Sequence, residues 1–137
     1  MNVRLGTVAG LTMDFSIFEA FPNAIVSGVW EIGECKHGTI IGNEFKPIGP
    51  IDVIIDEGFN SNINSTPETL TSDMLIYCYP SQMPSLSANT LVSAYMIHNI
   101  VDNTYFMIND VGMGKNQHTG QLEHVELQLV QTEIANE

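Results

Sequence analysis

Short apolar runs broken by glycine, proline and Asx residues dominate the chain, and no long stretch carries a helical period. Residues 121–131 show the plainest pattern. Val125, Leu127 and Leu129 alternate with Glu126 and Gln128, the period of a strand with one apolar and one polar face. Residues 74–79 (MLIYCY) are a shorter apolar run closed by Pro80. Residues 95–101 and 104–111 flank Asp102 and Asn103, residue types that tolerate positive φ, and so predict a β-hairpin. Upstream, Ile25, Val26, Val29, Trp30 and Ile32 predict a strand that Gly28 and Gly33 weaken or bend. Residues 39–41 and 51–55 are further short strand candidates, the latter introduced by Gly49 and Pro50.

Between these runs lie polar stretches. Residues 57–72 (EGFNSNINSTPETLTS) predict a long exposed loop, mobile in the free chain and ordered against a partner. Residues 80–90 predict a second loop, and 112–120 (GMGKNQHTG) a glycine-bounded third. Near the start, Phe15, Phe18 and Phe21 recur at a spacing that suits a helical turn capped by Asp14 and stopped by Pro22; a short strand fits them equally well. The pattern predicts one mainly β domain over residues 1–137, a small barrel or sandwich with long loops and at most a short N-terminal helix. Its core is expected from Ile76, Tyr105, Ile108, Leu127 and Leu129, with Trp30 near it. The Tyr and Met residues of the C-terminal half are expected mainly inside.

Composition narrows the function. At 137 residues and 44% hydrophobic, the chain can bury one sizeable core. Sixteen acidic residues stand against four basic ones, a net charge of -12. Arg4, Lys36, Lys46 and Lys115 cannot neutralise many phosphates, which excludes a basic DNA-binding footprint. Two cysteines, Cys35 and Cys78, make neither a disulfide framework nor a four-ligand zinc site. The expectation is free thiols, Cys78 in the core, in a protein made in the cytoplasm without leader or membrane span.

Candidate chemistry is sparse. His118 and His124 lie six apart with Glu123 between, but alternation puts Glu123 and His124 on opposite faces of a strand, and zinc needs three or four converging ligands. Both histidines are expected to be exposed. GMGK at 112–115 lacks the spacing and the following Ser or Thr of a phosphate loop, and a strand follows it instead of a helix. Cys35 and His37 have no positioned third group. Asp56 and Glu57 adjoin at a loop edge and are expected to be solvated, without the raised pKa that acid catalysis uses. The reading is of no enzyme, no catalytic residue, no metal and no cofactor.

Two segments, DMLIYCYP from Asp73 and YMIHNIVDNTYFMINDVGMGKNQHTGQLEHVELQL from Tyr95 to Leu129, resemble the head-completion proteins of long-tailed phages, also called stoppers, head-closure or minor capsid connector proteins. In that family a strand ends in proline, a loop follows, and a hairpin leads into a Gly/Lys/Asn/Gln loop and a terminal alternating strand. The resemblance covers a little under half the chain. It implies a small β-barrel forming a ring, most simply of six copies, below the portal at the neck of the virion, with a loop projecting into the channel. Partners would be further copies of the chain, the portal or adaptor protein and the tail-terminator protein, with packaged DNA passing nearby without specific contact and no membrane. The residues then expected at an interface or in the channel are Phe59, Asn60, Asn62, Asn64, Thr66 and Glu68 in one loop and Lys115, Asn116, Gln117 and His118 in another. Open strand edges or extended loops would make the ring contacts, and an acidic lining would repel a passing polyanion. Alternatives are a tail-terminator ring, a tail-tube subunit, a decoration protein, or a cytoplasmic β-barrel ligand-binding module or enzyme. Oligomeric state separates the assembly parts, expected as rings, from a monomer with a deep pocket.

Overall fold

The computed structural model describes residues 12–13, 16–37, 43–56, 73–116 and 119–134. Its strands are β1 (Thr12–Met13), β2 (Val26–His37), β3 (Asn43–Ile55), β4 (Met74–Cys78), β5 (Tyr95–Asn99), β6 (Thr104–Asn116) and β7 (Leu122–Thr132). Two short helices accompany them, α1 (Ile17–Ala20) and α2 (Ala88–Ala94). All strands share one sheet in the order β1-β6-β5-β2-β3-β4-β7, and β6 also pairs with β7. The six longer strands therefore form a closed antiparallel circuit. The mainly β expectation holds.

Alternation explains the inside. Trp30 and Ile32 of β2, Ile51 and Val53 of β3, and Ile76 and Cys78 of β4 turn to one side. Ile97, Phe106, Ile108, Val125, Leu127 and Leu129 meet them there. Each of these side chains is at least nine-tenths buried, and burying a residue of that size stabilises by about 1.5–3 kcal/mol. Leu91 of α2 joins the same cluster, so this helix adds to the core. Tyr105 does not. It is half-buried on the outer side with Phe45, Met96 and Met107, because its neighbour Phe106 takes the inward position.

Irregularities fall where the alternation is interrupted. Gly28 has φ +78 and lies in a stretch where β2 loses register between Val26 and Trp30. Ile48 is the extra residue on β3 opposite Ile32 and Gly33, and its side chain is exposed. Asn109 bulges from β6 between Ile108 and Asp110.

Several sequence boundaries move. The hairpin's first strand ends at Asn99, and the turn takes residues 100–103, with Asn103 at φ 55. Asn99 Oδ1 accepts from the Asp102 amide at 3.0 Å, an Asx arrangement that stops the strand early. The glycine-bounded loop expected at 112–120 is mostly strand. β6 continues to Asn116 because Gly112, Met113 and Gly114 pair with Glu126, Val125 and His124. The loop expected at 80–90 contains a 3-10 turn (Pro80–Gln82) and leads into α2, capped by Ser87 Oγ accepting from the Thr90 amide at 3.3 Å. Residues 39–41 and 57–72 lie outside the described residues.

Candidate functional site

The register fixes where the two segments expected to meet partners leave the sheet. Ile55 pairs with Ile76, and Met74 with Leu129, so the feet of the 57–72 segment stand at one end of the circuit. The 100–103 turn is at that end too, since Asn99 pairs with Thr104 and Trp30. Lys115 pairs with Leu122 and Asn116 with Met13, which places the β6–β7 hairpin at the opposite end, with β1. The two segments therefore leave the sheet at opposite ends. Phe59, Asn60, Asn62, Asn64, Thr66, Glu68, Gln117 and His118 lie outside the described residues. Lys115 is exposed. Asn116 is a turn former: its Oδ1 accepts from the Thr119 amide at 3.0 Å and its Nδ2 donates to Glu123 at 3.1 Å.

Both feet of the 57–72 segment are fastened. Asp73 accepts from the Gln131 amide at 2.8 Å and donates its own amide to the Leu129 carbonyl at 2.7 Å. On the other side, Tyr77 Oη donates to Asp56 Oδ2 at 2.7 Å, and the Asp56 amide donates to the Leu75 carbonyl at 3.0 Å. Asp56 is only 3% exposed, so the expectation of ordinary solvation fails there.

Tyr77 begins a buried polar row on the outer face of the circuit. Its ring meets the His124 imidazole edge-on, with centroids 5.1 Å apart. His124 Nε2 lies 3.0 Å from Glu126 Oε2, and both residues are fully buried. The expectation of an exposed His124 is therefore overturned, as is that of a solvated polar face for Glu126. The alternation itself is correct; the outer face of β7 is covered as well as the inner one. Glycine makes room for His124, because Gly114 faces it across β6–β7 and a Cβ there would overlap the ring. Among the described residues His124 Nδ1 and Glu126 Oε1 have no hydrogen-bond partner, a costly state for buried polar atoms. Burial, the Asp56 hydrogen bond and the charges of Asp56 and Glu126 together push the Tyr77 hydroxyl far above its ordinary range, so it stays a donor.

A second cluster fastens the 100–103 turn. His98 Nδ1 lies 2.7 Å from Glu31 Oε2 and Nε2 lies 2.9 Å from Asn103 Oδ1, while the ring stacks on Tyr105 at 4.2 Å. Glu31, His98 and Tyr105 are directly opposed across β2, β5 and β6. Beyond this clasp the turn presents Ile100 and Val101, 45% and 70% exposed. Sequence reasoning missed both clusters. The available signal was their same-face spacing, His124 with Glu126 at i and i+2.

Among the described residues no group of three or more His, Cys, Asp or Glu is placed to hold a metal ion. Cys35 and Cys78 are buried thiols, and burial pushes both up, away from the reactive thiolate. No described helix is long and apolar enough to cross a membrane. No protein-family model, curated protein or solved structure matches the chain.

Proposed function

We propose that the chain is a structural virion protein, a head–tail connector of the stopper or head-completion kind. In this reading it forms a ring, of six copies, below the portal at the neck of a long-tailed phage. The ring seals the DNA channel and gives the tail its attachment platform. Its partners are its own copies, the portal or adaptor protein and the tail-terminator protein.

The observation that carries this reading is the resemblance of the segments Asp73–Pro80 and Tyr95–Leu129 to that family. The geometry is compatible with it in three respects. The same residues contribute strands β4, β5 and β6 and most of β7, in the strand–proline–loop–hairpin–strand order of the resemblance. A closed circuit leaves turns and loops as the main surfaces for neighbours, and the 100–103 turn offers Ile100 and Val101 to one. With sixteen acidic residues against four basic ones, the surface suits a channel that DNA passes without sticking.

Removing the gene from the phage that encodes the chain tests the proposal. The expected phenotype is heads that package DNA, fail to retain it and do not join tails, with the chain present in purified wild-type particles. Normal tailed particles in its absence would reject the role.

A further inference from the structure

The six-strand circuit closes without the N-terminal arm, whose described parts are residues 12–13 and 16–25. The arm sits outside. Ile17, Phe18 and Ala24, fully or nearly fully buried, pack with Phe21 and Ile25 against Ile54, Leu75 and Tyr77 of β3 and β4. This cluster is separate from the interior core. Phe18 stacks on Tyr79 with ring centroids 3.8 Å apart. Further back, Thr12 and Met13 add a parallel strand to β6 opposite Lys115 and Asn116. β5 pairs with β6 only as far as Met107, so the β6 edge beyond it is a template for an added strand.

The link from the arm to the circuit is irregular. After Val26 pairs with Val53, the β2–β3 register resumes only at Trp30. Ser27 and Gly28 between them are exposed, and Gly28 is held at φ +78, a conformation that other residues rarely adopt. Val29 is fixed again, its carbonyl accepting from the Ile100 amide at 2.7 Å. Ser27 and Gly28 are therefore a short exposed irregularity in β2, between the paired residues Val26 and Trp30, where few contacts oppose a change in the direction of the chain.

We propose that this arm is exchanged between neighbouring copies. It leaves its own circuit at Ser27–Gly28 and occupies the same seat and the same β6 edge on the next copy. Every contact made within one chain is available between two, which is why exchange of an element costs little once copies stand side by side. Passed in one direction round a ring, the exchange gives each subunit one arm donated and one received. The inference rests on the ring reading and adds the element that would link the subunits.

Position-specific cross-linking tests it. Chains carrying Phe18→Cys are mixed before assembly with chains carrying Tyr79→Cys and treated with a short bis-maleimide. Cys35 and Cys78 are buried, so the background is low. Exchange predicts a covalent dimer containing one chain of each kind within the assembled ring. A ring that gives no such dimer, while the double variant cross-links within single chains, overturns exchange and leaves the ring reading intact. Failure to assemble in any context, the virion included, overturns both. Gly28→Val provides a test that leaves the packed seat untouched. Valine disfavours the positive φ that Gly28 holds within one chain and tolerates an extended backbone, so exchange through an extended Ser27–Gly28 predicts at least a tenfold rise in the dimer or higher-order fraction by light scattering. A Gly28→Val chain that only loses stability and stays monomeric counts against exchange.

Discussion

The imidazole of His124 occupies the space that a side chain at position 114 would need: a methyl group built on Gly114 would overlap the ring. Glycine is therefore required there for room, since Gly114 is not among the positive-φ positions. Gly114→Ala is expected to cost about 1–3 kcal/mol, because the His124 ring, fully buried, has little freedom to move aside. Denaturant melts of the two proteins check this; equal midpoints would mean that the ring relocates freely.

Tyr77 and Asp56 give a prediction in pH. Tyr77→Phe removes the hydroxyl that donates to the buried Asp56 carboxylate at 2.7 Å, and should cost about 1–3 kcal/mol at neutral pH. The wild-type hydroxyl is raised in the folded state, chiefly by burial and then by its hydrogen bond to Asp56. The stability it contributes is thus fully present below the unfolded tyrosine pKa of about 10 and is lost as pH rises beyond it. Cys78 adds a loss of the same sign from lower pH, because its thiol is raised too. Stability measured between pH 9 and 11 should fall less steeply for Tyr77→Phe than for wild type. Parallel curves would show that Tyr77 ionises as easily folded as unfolded.

Leu127 and Tyr105 separate the two sides of the sheet. Leu127→Ala opens a cavity in the interior cluster and should cost about 2–5 kcal/mol. Tyr105→Ala should cost less, since that ring is half-buried on the outer face against His98 and Phe45. A change below about 0.5 kcal/mol for Leu127→Ala, against the usual cost of a buried leucine, would mean that the strand register is wrong.

Much of the strand pattern was legible because it is local. The alternation Val125, Leu127, Leu129 and the hairpin around Asp102 and Asn103 report which side of a strand is apolar, and the interior cluster follows. What covers the other side is not written in that period. Glu126 and Gln128 read alike as polar-out residues, yet Glu126 is fully buried and Gln128 only partly so. Glu126 pairs with Tyr77, which itself packs with Ile17 and Phe18 from a distant part of the chain, and no local period shows such neighbours. Asp56 was misjudged for the same reason: its position beside a polar stretch suggested solvent, while Tyr77 encloses it. Helix α2 escaped notice because four of its seven residues, Asn89, Thr90, Val92 and Ser93, are weak helix formers, and Leu91 is held by the interior it packs into.

The central claim, that the chain is a neck-ring subunit, is tested most directly by cryo-electron microscopy of the intact phage particle. The account predicts density for the chain as a closed ring, six-fold, on the particle axis between portal and tail. Density for the chain away from that axis, or its absence from the particle, would contradict the account.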